Sequence, residues 1–291
     1  MKYLLLTLLL ILTGCEKLLE PEVYEGKLVE RDNLFYKPNS LEPFTGEKID
    51  WYENGQLKAK GSFIDGKRDG FWEFRKEWGM LEEKGNYIDG NRDGLWEGYH
   101  TDGGLRTTVS YIDGKREGPW ESTWNNGSLR QKGNYINGEK DGLWEYYLGE
   151  GKFDEKGNYI DGKKDGVWEA WHENGQLKSR GNYTGGRENG PWEFYYKNGH
   201  LSEKGNFIDG KKDGLWEYYE EKSSELTARG NYKRGLVTGI YYRYQYDKIA
   251  PYCYQNGEQV DQDICFPECA NISKPSDEYS QCLKNFSTTY D

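Results

Sequence analysis

The chain has little of what most catalytic sites are built from. Among 291 residues there are three histidines, five cysteines, two methionines and eight prolines. His100 and His172 occupy equivalent positions three repeat units apart, about 30 Å at ordinary strand spacing, and His200 lies on another strand. No shared metal or nucleophile–base pair follows. There is no G-x-S-x-G elbow, no phosphate-binding Gly-rich loop and no cysteine with an obvious histidine partner. Positive charge is also short. A net charge of −11 argues against a nucleic-acid partner, because such binding depends on Lys and Arg displacing counterions from phosphates. Long apolar runs are confined to the N-terminus, and the mean hydropathy is −1.03.

What is abundant is glycine (38), tyrosine (25) and tryptophan (11), a composition suited to short strands and turns. Gly46, Gly70, Gly94, Gly118, Gly142, Gly166, Gly190 and Gly214 are each 24 residues apart, and Gly239 follows with one residue inserted. Trp72, Trp96, Trp120, Trp144, Trp168, Trp192 and Trp216 stand two residues after seven of them. Each unit carries two turn signals, "NG" or an equivalent at Asn54-Gly55, Asp102-Gly103, Asn126-Gly127, Asn174-Gly175 and Asn198-Gly199, and a second of the Asp65-Gly66 or Asp161-Gly162 kind. Each unit is expected to be one β-hairpin.

With Asn126-Gly127 as a two-residue loop, Trp120 falls opposite Gly133 and Glu121 opposite Lys132. A glycine across from a tryptophan leaves room for the indole to lie over the neighbouring strand. The Trp face is expected to be the core face and to receive Leu129 and Tyr135, or Leu201 and Phe207. On the other face Glu73, Glu121, Glu145, Glu169 and Glu193 oppose Lys84, Lys132, Lys156, Arg180 and Lys204, while Glu97 opposes Thr108 and lacks a cation. Such pairs contribute roughly 0.2 to 1 kcal/mol each. Equivalent glutamates about 10 Å apart are too distant for a retaining carboxylate pair, lie at or beyond the end of the inverting range, and do not chelate one cation. The row reads as scaffold, so neither an enzyme nor a cofactor is expected. The unit at Trp120, with Trp124 as an extra aromatic, is the most irregular, and ordinary packing explains it. Trp51, Tyr99, Tyr147, Trp171, Tyr195 and Tyr219 form an aromatic stripe on the charged face and are the binding candidates, since Trp and Tyr carry much of interface energy.

The units resemble the MORN variant repeat, with the pattern G-x-W-x-x-Y-x-x-N-G-x-L, from Phe44 to about Tyr241. The lead-in "LFYKPNSLEPFTG" also looks like the segment before a first repeat of that family. Departures are Lys48 in place of the first Trp, Val109 in place of the strand Gly, and "YLGEGKF", which loses the NG turn. The resemblance implies an all-β, elongated antiparallel sheet of tandem 24-residue hairpins, roughly 75 to 80 Å long. "LTGC" resembles the bacterial lipobox, which implies cleavage before Cys15 and acylation of its sulfur. The expected organisation is a signal peptide (1–14), a tether (15–33), a lead-in cap (34–45), the array (46–244) and a cysteine-bearing cap (245–291). Cys253, Cys265, Cys269 and Cys282 suggest two disulfides of open pairing, a four-Cys zinc site being the rival. The expected role is a non-enzymatic envelope scaffold, lipid-anchored and leaning to the outer membrane, that binds a protein partner. An antitoxin or immunity protein facing a toxin, which the family resemblance implies, and a cell-wall glycan-binding module stay open.

Overall fold

The computed structural model describes residues 22–245 and 248–261. The signal segment, Cys15 and the cysteines at 265, 269 and 282 lie outside the described residues. Apart from one 3₁₀ turn at Gly149–Gly151, regular structure among the described residues is all strand.

Nineteen strands follow one another in sequence order in one antiparallel sheet, from β4 (Gly46–Trp51) to β22 (Glu258–Val260). The unit described most often below comprises β10 (Lys115–Thr123), β11 (Leu129–Ile136), β12 (Glu139–Tyr147) and β13 (Phe153–Ile160). At the open edge, β1 (Val23–Tyr24) pairs with β4 in parallel, making twenty strands. The sheet runs on past the end of the array at 244, since β20 (Leu236–Gln245) pairs with β21 (Lys248–Gln255) and that with β22. Residues 22–33, expected as tether, hold β1 and β2 (Val29–Arg31), the latter paired with β3 (Leu34–Tyr36).

The two turns exchange the roles that the sequence suggested. At the Asn126-Gly127 turn, Trp124 accepts from Gly127 N–H at 2.9 Å and donates to Ser128 at 2.8 Å, and only Gly127 has positive φ (+78°). The loop therefore has three residues, with glycine in the left-handed position. The two-residue turn with both residues at positive φ is the other one, Asp65 (47°) and Gly66 (76°). A bulge at Arg130 compensates the extra loop residue: Thr123 pairs with Leu129, then Ser122 with Gln131, Glu121 with Lys132 and Trp120 with Gly133. The Trp–Gly register thus holds, but Leu129 and Leu201 fall opposite Thr123 and Tyr195 on the charged face, not on the Trp face.

The core is a single layer. Trp144 is fully buried although no second sheet among the described residues covers it. Its indole lies back over Gly133 of the preceding strand, where an added Cβ would stand 2.2 Å from Cδ2, and its Nε1 donates to Asn134 O at 3.1 Å. Tyr135 and Tyr159 present edges to it at 5.1 and 6.1 Å, and Lys140 Nζ stands 4.1 Å from the ring centroid. The same construction recurs at Trp72, Trp96, Trp168, Trp192 and Trp216. The glycine each indole covers lies across the two-residue turn, whereas register alone pointed to the one across the hairpin.

Neighbouring units are also stitched at their turns. Gly90, Gly138 and Gly162 donate to the carbonyls of Arg68, Arg116 and Lys140, one unit back, at 2.8 to 2.9 Å. Gly66 makes the same bond to Phe44. Phe44 stands two residues before Gly46, as Arg68 does before Gly70, so the lead-in supplies the first repeat with the neighbour it lacks.

Candidate functional site

On the face opposite the tryptophans, the ion pairs run differently from the sequence expectation. Lys84, Lys132, Lys156 and Lys204 each sit level with two glutamates, one in their own hairpin and one in the next, and choose the next: Lys84–Glu97 (2.9 Å), Lys132–Glu145 (2.8 Å), Lys156–Glu169 (3.4 Å) and Lys204–Glu217 (2.9 Å); Lys60, opposite Ile49 in its own hairpin, likewise pairs with Glu73 (3.8 Å). Arg180–Glu169 (3.6 Å) follows the intra-hairpin pattern. Glu97, which lacked a partner on paper, is held by Lys84. Of the described glutamates in this row, Glu121 and Glu193 have no cation within 4 Å. The Lys84 and Tyr99 hydrogen bonds keep the Glu97 carboxyl below the ordinary range, and the Glu97 bond keeps Lys84 above its own.

The aromatic stripe is tied into this lattice. Tyr99, Tyr147, Tyr195 and Tyr219 donate their hydroxyls to Glu97, Glu145, Glu193 and Glu217 at 2.8 to 3.1 Å. Tyr147 stacks on Phe153 at 4.8 Å, and Phe153 lies 5.3 Å from Trp171. Of the six stripe residues only Trp51 is exposed (48%), the other five being half-buried. The histidines pin loops: the ring nitrogens of His100, His172 and His200 donate to the Thr123, Tyr195 and Glu221 carbonyls at 2.8 to 3.0 Å.

Beside the turn isoleucines Ile64, Ile88, Ile112, Ile160 and Ile208, which are 51 to 59% exposed, a second row of exposed apolar groups was passed over by sequence reasoning. Phe71, Leu95, Leu143, Val167 and Leu215 are 47 to 56% exposed and stand immediately after the unit glycine, with Pro119 and Pro191 taking that place in two further units. That glycine has φ near +70° (Gly142, +69°), and pairing with the preceding strand skips here, Asn134–Asp141 being followed by Lys132–Glu145. The bulge pushes the next side chain out of the sheet. The signal was present as an apolar residue in every "G-x-W", but its exposure depends on a bulge that periodicity does not show. Shallow grooves lie between successive members of the row. One of about 300 Å³ is flanked by Pro191 and Leu215 over the Gly205 backbone and rimmed by Lys204 and Glu217; another of about 450 Å³ lies between Leu215 and Ile240 over Gly230.

Five stretches, 44–65, 92–113, 116–137, 164–184 and 188–209, match the MORN repeat variant family. This is a MORN repeat protein. Each matched stretch of the MORN array begins at or near a two-residue-turn strand and ends at the next such turn, so the family unit and the hairpin coincide. No curated protein matches the chain. The MORN hairpins form a repeat scaffold, and among the described residues no group of three or more His, Cys, Asp or Glu is placed to hold a metal.

Proposed function

We propose that this chain is a lipid-anchored protein of the bacterial envelope, without catalytic activity, whose bulged sheet face docks a protein partner. The observation that carries the reading is the row Phe71, Leu95, Leu143, Val167 and Leu215, half-exposed and present in five of the seven G-x-W hairpins, proline standing in the other two. Singly exposed apolar residues need no explanation, but a regular line of them flanking grooves does. Its alternation with Glu–Lys pairs gives the apolar centre and charged rim that a protein interface uses. The net charge of −11 disfavours an anionic lipid surface as the occupant of this face. Cys15 in "LTGC" supplies the anchor in this reading, with placement at the outer membrane.

The test compares full chains in capture from an envelope extract. Leu143→Glu, Val167→Glu and Leu215→Glu together are expected to leave the melting temperature near the parent value and to abolish capture. A stripe variant, Tyr147→Ala with Tyr195→Ala, is expected to lose stability as well, because each hydroxyl holds a glutamate. Unaltered capture by the charged-row chain would refute the docking face. Identification of the captured protein as a toxin would place the chain among immunity proteins.

A further inference from the structure

One place on the Trp face breaks the repeat, and it breaks it in several ways together. Val109 replaces the strand glycine, so Trp120 has no backbone to lie back over; it leans instead toward Trp144, with ring centroids 5.4 Å apart, and is only partly buried. The residue two after the tryptophan is Phe74, Tyr146, Phe194 or Tyr218 in four units, each packing against the tryptophans on both sides or, for Tyr218, against Trp216 and Tyr241. It is small in the other three, Ala170 and, in two consecutive units, Gly98 and Ser122. A hollow of about 250 Å³ remains between Trp96 and Trp120, some eight water volumes.

The walls of the hollow carry cations. Arg92, Arg106, Arg116 and Arg130 all line it, and its two carboxylates, Glu83 and Glu97, are taken by Arg92 and Lys84. Arg92 is satisfied by Glu83 at 2.5 Å, as Lys164 is by Glu155 at 2.8 Å and Lys212 by Glu203 at 2.6 Å. At the equivalent point beside Arg116 stands Thr107, which has no carboxylate. Arg116 bonds the Tyr135 hydroxyl (3.1 Å) and also meets that of Tyr111, both neutral partners, while Arg106 lies over Gly98 and Arg130 over the Trp124 ring at 4.8 Å. Among the described residues none of these three meets a carboxylate within 4 Å. Ser122, 6% exposed, also lines the hollow, and its buried hydroxyl has no hydrogen-bond partner. A buried hydroxyl without a partner costs about 1 to 3 kcal/mol, which a ligand oxygen would relieve.

We propose that this hollow binds a phosphate group. Sibling units place a carboxylate where Thr107 leaves space, so an oxyanion is the chemistry that the wall already accepts. Three guanidiniums rather than one favour a dianion over a carboxylate, and planar forks with a hydroxyl donor match phosphate oxygens. The site lies on the face opposite the docking row and does not depend on it. A free phosphate, a phosphomonoester and a lipid headgroup share this chemistry.

The test is calorimetric titration of the full chain carrying Cys15→Ala, so that no acyl anchor contributes, in phosphate-free buffer at low salt, with inorganic phosphate, glycerol phosphate and acetate, alongside flotation with phosphatidylglycerol vesicles. Saturable binding of at least one phosphate probe, tighter than acetate, is expected. Thr107→Glu gives Arg116 the partner that Arg92 has, without disturbing the core, and is expected to weaken binding at least tenfold while keeping the melting temperature; Arg116→Gln is the second variant. Flotation in the absence of binding to the soluble probes would identify the headgroup as the source. No saturable binding by any phosphate probe, phosphate no tighter than acetate, or undiminished binding in both variants would overturn the assignment.

Discussion

Trp144→Ala and Trp120→Ala remove the same side chain from adjacent units, yet the structure separates them. Trp144 is fully buried, donates from Nε1 to Asn134 O at 3.1 Å and carries Lys140 at 4.1 Å. Truncating a buried tryptophan costs about 3 to 5 kcal/mol, and the lost hydrogen bond adds about 1 kcal/mol. Trp120 is displaced by Val109, makes no indole hydrogen bond among the described residues and borders a hollow already open to water. Its loss forfeits part of the burial and no carbonyl bond, so about 1 to 3 kcal/mol is expected. Because each unit contacts only its neighbours, a single midpoint understates a local effect. Hydrogen exchange read peptide by peptide is therefore the assay. Trp144→Ala should raise exchange most in Leu129–Ile160, and Trp120→Ala should do so less. Equal or larger damage from Trp120→Ala would refute the account of how the indoles are held.

Gly181→Ala places a methyl 2.0 Å from Trp192 Cδ2, so it should destabilise by about 1 to 3 kcal/mol in urea titration, whereas Gly149→Ala, which meets nothing within 4 Å, should not. Burial pushes Tyr183 and Tyr218 up to about 12 from 10.0. Their raised folded values mean stability is complete below pH 10 and is lost as pH rises from there through about 12, which alkaline melts followed by circular dichroism will show. The depressed carboxyls of Glu97 and Glu217 work in the other direction, their contribution disappearing as pH falls through values below the ordinary carboxylate range. Cys15→Ala should remove the chain from the membrane fraction and abolish palmitate incorporation; retention of label would exclude the anchor. Thiol labelling of the exported chain should find Cys253, fully buried in β21, and the three later cysteines unreactive, and stoichiometric zinc would contradict the disulfides.

Repeat length, hairpin units, Trp–Gly register and the two faces were legible because each rests on spacing. The pieces that misled were those where backbone geometry intervenes between spacing and position. "NG" suits a two-residue turn and also the left-handed residue of a three-residue loop, and only the compensating bulge at Arg130 kept the register intact while moving Leu129 to the other face. Lys132 stands level with both Glu121 and Glu145, and side-chain reach, which sequence does not encode, selects Glu145. The exposed row after the unit glycines was hidden for the same reason, since a residue between Gly and Trp looks interior until the glycine bulges.

The bond from each turn glycine to the carbonyl one unit back has a consequence for how such a chain changes over generations. Every seam between regular hairpins is chemically the same, so excising 24 residues, for instance 164–187, rejoins surfaces that already fit. Length can therefore vary in whole steps of two strands, about 10 Å each, without redesign of either end. The stretch from Gly94 to Gly142 is the exception, because its seam is unlike the others. Selection on reach and selection on that one hollow can proceed separately in the same molecule.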